Sequence, residues 1–239
     1  MRAQEKNIKG FTILELLVVI VIISVISAAA YPNFSSWRKE RQVRVATVEI
    51  KNLFTNISSQ VQRGMYAFVQ VHVEEDTTNQ ILTITSKGMH TDTMLTRART
   101  EAGWGGTTDM ETTCNQTQPW DDQGSPTNTK LEVAQLVYDN ITTDLDEDNP
   151  EGTICFSKDG RYYSVTGAFE IEFPFFYICG RSSTNKSCNM NGNAPPDDAP
   201  GVGLDIVFKI KWSRFANITL DKWSDTLKED GDPIGWVLQ

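Results

Sequence analysis

Gly10-Phe11-Thr12-Ile13-Leu14-Glu15-Leu16-Leu17 is the stretch on which the reading of this chain turns. Ahead of it lie Arg2, Lys6 and Lys9 against a single acid, Glu5, so residues 1–10 carry a net charge of +2. Such a segment resists crossing an energised membrane and stays in the cytoplasm. Behind it, residues 11–31 hold one charge, Glu15. Twenty-one helical residues rise about 31 Å, which matches a hydrocarbon core of about 30 Å. A carboxylate in that span costs roughly 2.5–3.5 kcal/mol on insertion scales, so it calls for a cation. Cleavage after Gly10 would supply one, the new α-amino group of Phe11. Glu15 lies one helical turn further on, about 6 Å along the axis. The amine of one copy can therefore meet the carboxylate of an axially shifted neighbour and remove the cost of a lone buried charge. A head-to-tail contact of this kind builds open filaments.

These residues resemble the class III signal of type IV prepilins and type II secretion pseudopilins, over about twenty residues through Tyr31-Pro32. The resemblance implies that a prepilin peptidase cuts after Gly10 and methylates Phe11. It also implies assembly through Phe11 and Glu15 with other pilin or pseudopilin subunits, and a helix kink at Pro32. Where the family often has glycine, this chain has Ser24. The implied location is the bacterial inner membrane in a single pass with the globular domain outside the cytoplasm, then a periplasmic or extracellular filament.

Two other readings compete. Ala28-Ala29-Ala30 looks like a small-residue signal peptidase site, but the apolar stretch exceeds the usual 7–15 residues and contains Glu15. A plain single-pass anchor is the other. Arg38, Lys39, Arg41 and Arg44 flank the far side against Glu40, so positive-inside counting does not settle orientation. The leader motif decides it.

At 239 residues the chain suits one anchored helix and one globular domain. The expected class is α+β: a long N-terminal helix packed on an antiparallel sheet, pilin-like. Residues 1–10 form the leader, 11–31 the transmembrane or filament-core helix and 32–64 its amphipathic continuation. Residues 65–239 form an extracytoplasmic β-rich domain with long loops at 103–130 and 180–203. The continuation follows from Val43, Ala46, Ile50, Leu53, Ile57 and Val61, which recur at steps of three and four, with Gly64 as the stop. Strands are expected near Tyr66-Ala67-Phe68-Val69-Gln70-Val71-His72-Val73, Ile81-Leu82-Thr83-Ile84-Thr85 and Phe175-Phe176-Tyr177-Ile178. A hairpin is expected around Lys158-Asp159-Gly160, and another at the end, from residues 204–212 to 218–220. Residues 131–138 fit a strand or a helical turn equally.

Formal charge is −9, and −11 once the +2 leader is gone. An acidic surface disfavours nucleic acid. Lys209, Lys211 and Arg214 are the one basic spot in the domain. Cys114, Cys155, Cys179 and Cys188 all follow the membrane segment, where disulfides are allowed. Four cysteines permit three pairings. Cys179 with Cys188, closing a short loop, is favoured and leaves Cys114 with Cys155; spacing alone does not establish it. No zinc spacing is present, and His72 and His90 stand apart from any partner constellation. Asp144, Asp146 and Asp148 have the alternation of a calcium loop, but Asn149 replaces the turn glycine and Cys155 the terminal acid. A solvated loop is the preferred reading, and no cofactor is expected.

The expected role is a structural subunit, minor pilin or pseudopilin, of a type IV pilus-like or type II secretion filament, and not an enzyme. Alternatives are a tip adhesin or DNA-binding minor pilin, or a secreted domain behind an ordinary signal peptide. Residues 57–64 and Thr153-Ile154-Cys155-Phe156-Ser157-Lys158-Asp159-Gly160 add a resemblance to H-type pseudopilins and related minor pilins.

Overall fold

The computed structural model describes residues 11–93, 95, 132–145, 151–157, 162–164, 175–181, 188, 190–191, 199–200, 206–213, 217–224 and 235–239. Side chains at 28–33, 35, 132, 162–164, 190–191 and 199–200 are not part of that description. The architecture is α+β, one N-terminal helix followed by antiparallel sheets. The chain divides into two compact units, Met1–Arg41 and Gln42–Gln239.

Helix α1 runs Ile13–Gln62, fifty residues, through both units. Thr12 caps its start: the Thr12 hydroxyl oxygen accepts the Glu15 amide at 3.2 Å. Its end is a Schellman motif. The Gly64 amide donates to Val61 O at 2.9 Å and the Met65 amide to Gln60 O at 3.1 Å, with Gly64 at φ 74°. Glycine meets that left-handed angle without a Cβ penalty. Helical assignment continues through Pro32, and the Ser24 hydroxyl donates back to Ile20 O at 2.7 Å.

The second unit is built on the C-terminal part of α1. Val43, Ala46, Ile50, Phe54, Ile57 and Val61 are buried on one stripe. The sequence pattern put Leu53 in that stripe; Phe54 takes the centre instead, and Leu53 is only partly buried. Phe54 is fully buried, 5.5 Å from the Phe156 ring, 5.6 Å from Phe176 and 5.7 Å from Trp212. One helical ring thus meets side chains of both main sheets.

The first sheet takes β1 (Phe68–Asp76), β2 (Ile81–Met89), β3 (Glu132–Asp139), β5 (Glu151–Ser157) and β6 (Tyr162–Ser164), in the order β3-β2-β1-β5-β6. The second takes β4 (Ile141–Thr143), β7 (Phe175–Gly180), β10 (Val207–Trp212), β11 (Ile218–Ser224) and β12 (Gly235–Leu238), in the order β12-β11-β10-β7-β4. Pairing is antiparallel throughout, with Val71 opposite Ser86 and Ile154, and Ile210 opposite Phe176 and Leu220. Val69, Val71 and Val73 on β1 share one core with Phe176 and Ile178 on β7, and with Phe208 and Ile210 on β10.

Several expectations need correction. The terminal hairpin is three-stranded, because β12 pairs with β11 through Trp223 and Trp236. Two turn-rich breaks hid that last strand. The span 180–203 is not loop alone: β8 (Met190–Asn191) pairs with β9 (Ala199–Pro200). From Glu132 on, the stretch that fitted strand or helical turn is strand, β3 (Glu132–Asp139), because β2 offers a partner from Ile81 to Gly88. The loop expected at 103–130 lies outside the described residues.

Replacing Phe54 with alanine should destabilise the domain by about 3–5 kcal/mol, the usual cost of emptying a large core site. Urea unfolding followed by tryptophan fluorescence checks it.

Candidate functional site

Gly10 lies outside the described residues; Phe11 and Glu15 lie within the first unit. Phe11 is 82% exposed and Glu15 is exposed too. The described apolar side chains that follow, through Ile26, are exposed as well, including Ile13 at 89% and Leu14 at 74%. Among the described side chains of this stretch through Ile26, none is buried. Glu15 also stands third after the capping Thr12, a T-x-x-E start that places an acid at the positive end of the helix. That placement contributes about 0.3–1 kcal/mol. It is smaller than the roughly 2.5–3.5 kcal/mol cost of a carboxylate within lipid, so capping alone does not explain the acid there. The T-x-x-E spacing was legible in the sequence and went unread.

Among the described residues no helix is long and apolar enough to cross a membrane.

The other sequence-singled residues are dispersed. Cys179 and Cys188 are joined by a disulfide, Cα to Cα 5.8 Å. Cys155 is disulfide-bonded, and Cys114 lies outside the described residues. The two described lysines of the basic spot are both engaged within the domain. Lys209 is buried, with its ammonium 4.1 Å over the Trp236 ring and 5.5 Å over Phe175. Lys211 is ion-paired with Asp221, and Arg214 lies outside the described residues. Strand alternation explains the miss: Lys209 sits opposite Tyr177 on the sheet face that Trp223 and Trp236 cover.

Asp144 does not sit in open solvent, as a solvated loop would place it. It is half-buried and its carboxylate accepts the Tyr177 amide at 3.2 Å. Burial pushes its pKa up to about 7, helped by the nearby Glu75 charge. Asp146 and Asp148 lie outside the described residues. Among those described, no group of three or more metal-ligating side chains converges. His72 is buried, with Nδ1 3.1 Å from the Thr153 hydroxyl and Nε2 3.7 Å from Glu151. Burial lowers its pKa.

The most organised polar site was missed. Glu75 follows Val69, Val71 and Val73 in the β1 alternation, so its carboxylate points toward the core side. Four donors meet it there. The Thr142 hydroxyl donates at 2.8 Å and an Arg181 guanidinium nitrogen at 2.9 Å, while the Thr143 amide and hydroxyl both donate to the other oxygen. Glu75 belongs to the first sheet, Thr142 and Thr143 to the second, and Arg181 follows β7. The disulfide is attached to the same strand, since the Cys188 amide donates to Thr143 O at 2.7 Å. This is a lock between sheets with both carboxylate oxygens occupied.

The exposed helix start is therefore the part of this chain that asks for a partner. A family model, the prokaryotic N-terminal methylation motif, matches residues 6–31. The motif indicates a type IV pilin-like or pseudopilin subunit. It spans the predicted cut at Gly10, the amine of Phe11 and the acid Glu15. A methylation motif of this kind implies processing by a prepilin peptidase and assembly with other pilin-type subunits. The match ends at residue 31 and carries nothing about the strands that follow. No curated protein and no solved structure matches the chain.

Removing Arg181 leaves the Glu75 carboxylate buried without its cation. Arg181→Met should cost about 3–5 kcal/mol in urea unfolding, and adding Glu75→Gln should recover much of that loss. Asp144 gives a pH dependence. Its folded value of about 7 lies well above that of an ordinary aspartate, so between about pH 4 and 7 the folded protein holds a proton that the unfolded chain has lost. Its contribution is complete below about pH 4 and disappears as pH rises to 7. Asp144→Asn should flatten that fall and stabilise the protein at pH 8 by on the order of 1–3 kcal/mol, read from urea midpoints at pH 4 and pH 8.

Proposed function

We propose that the chain is a structural subunit, a minor pilin or pseudopilin, of a type IV pilus-like or type II secretion filament. Residues 11–31 anchor it in the inner membrane before assembly and then join the filament core. The observation that carries this reading is the apolar helix start, exposed on every described face, with its acid one turn from the predicted new terminus. At about 25 cal/mol per Å², so much bare apolar surface needs lipid or other helices around it. Lipid serves the single subunit and neighbouring helices serve the filament.

Assembly then works as an exchange of surroundings. The peptidase cuts after Gly10 and frees the Phe11 amine. The amine of one subunit approaches the Glu15 carboxylate of another, and the two charges neutralise one another within the apolar core. The contact is heterologous, so it repeats without closing. The globular domain is carried into the filament as the outer part of each subunit. The resemblance of residues 57–64 and 153–160 to H-type pseudopilins favours a low-abundance subunit near a filament tip.

Glu15→Ala should leave processing intact and reduce incorporation into filaments at least about tenfold, the scale of losing one charge pair in an apolar core. Intact mass of the mature protein should place the new terminus at Phe11 with one added methyl group. A terminus after Ala30 would instead give a free secreted domain, and unchanged incorporation of the Glu15 variant would remove the pairing mechanism.

A further inference from the structure

Just beyond the apolar segment, α1 carries two bare aromatic rings beside three cations. Phe34 is 60% exposed and Trp37 53% exposed, their ring centroids 5.8 Å apart. The Arg41 guanidinium carbon lies 5.6 Å from the centroid of the Trp37 ring. Arg38, Lys39 and Arg41 are exposed, and Glu40 is the one acid among them. Positions 34, 37, 38 and 41 follow the i, i+3, i+4, i+7 spacing, so both rings and two of the cations share one side of the helix. All of these residues belong to the first unit.

We propose that this cluster docks on anionic phospholipid headgroups on the extracytoplasmic side of the membrane. The inference rests on the reading of residues 11–31 as the membrane-spanning segment and adds the chemistry of the lipid surface that the subunit selects. Depth supports it. Counting from Tyr31, Phe34 lies about 5 Å further along the axis, Trp37 about 9 Å and Arg41 about 15 Å. The headgroup layer is about 5–8 Å thick on each side, so the rings fall in or beside it, and the backbone of Arg38 and Arg41 lies roughly 3–10 Å beyond it, from where their long side chains can reach back toward the phosphates. Aromatic rings with one wet edge favour that depth. Cations there lie within a Debye length of lipid phosphates.

Charge supports it as well. The chain as a whole is acidic, net −9, while residues 38–41 carry a net +2. An acidic patch on a neighbouring copy would also attract these cations, but it gives no reason for bare rings at the end of an apolar segment. A headgroup layer accounts for rings and cations together. The cluster also works against the positive-inside count, because cations on the translocated side oppose the leader's orientation signal. Contact with anionic headgroups gives them a role on that side. It would hold the subunit upright at the surface until the filament draws it out.

The test uses the full chain in phosphatidylcholine vesicles, with trace spin-labelled phosphatidylglycerol or spin-labelled phosphatidylcholine. Electron spin resonance reads the motionally restricted fraction of each probe. The restricted fraction should be at least about threefold larger for phosphatidylglycerol, and the preference should largely vanish in about 1 M salt, where the Debye length is near 3 Å. It should also fall substantially in the Arg38→Gln, Lys39→Gln, Arg41→Gln triple variant. Equal restriction of both probes by the unaltered chain overturns the proposal. So does a preference that the triple variant keeps, because it then belongs to Arg2, Lys6 and Lys9. Flotation separates the two readings: a chain that does not float with vesicles overturns the membrane span and this proposal together, whereas one that floats without preference overturns this proposal alone. Lost co-purification of the triple variant with other subunits, without lipid preference, would assign the cluster to an acidic neighbour instead.

Discussion

A fifty-residue helix that needs two different surroundings sets the terms for everything else in this molecule. In its first half the described apolar side chains, through Ile26 and again at Phe34 and Trp37, are exposed. Its second half is amphipathic and fully used: the stripe from Val43 to Val61 is the floor of the domain core. One half depends on what lies outside the chain, and the other holds the two main sheets together. Burial of apolar area drives both, which is why the helix can be continuous while its environment changes.

Within the domain the helix alone does not join the sheets. Phe54 supplies the apolar meeting point, touching rings from β5, β7 and β10. Glu75 supplies the polar one, carrying four donors from β4 and from Arg181. A buried carboxylate is costly unless all its oxygens are used, and here both are. The disulfide from Cys179 to Cys188 meets the same short strand, so covalent, ionic and hydrogen-bonded ties converge on β4.

Legibility in the sequence followed the range of the interactions. The helix stripe, the stop at Gly64 and the first strands were readable, because periodicity and capping involve residues within a few positions of one another. Leu53 was read for Phe54 since both fit a three-or-four step, and only the facing rings choose between them. β12 was missed because Gly235–Leu238 has no pattern of its own and exists through its pairing with β11. Lys209 and Lys211 read as a basic surface because charge normally implies water. Tertiary structure turned one onto aromatic rings and the other onto Asp221. Asp144 was placed in a solvated loop by its acidic neighbours, and the Tyr177 amide draws it inward.

By itself the sequence determined the character of the N-terminus: a cationic stretch ending in Gly10, an apolar run and an acid four residues after Phe11. Those are properties of contiguous residues, decided by charge, length and hydropathy, and the methylation motif covers the same span. It also determined that a helical stripe would seek a β-rich partner. Only the tertiary structure decided that Glu75 would be the inter-sheet lock, that Lys209 would be buried and that a third strand would close the terminal hairpin. Each of those depends on residues tens of positions apart being brought within hydrogen-bonding or van der Waals reach, and no local pattern encodes such a meeting.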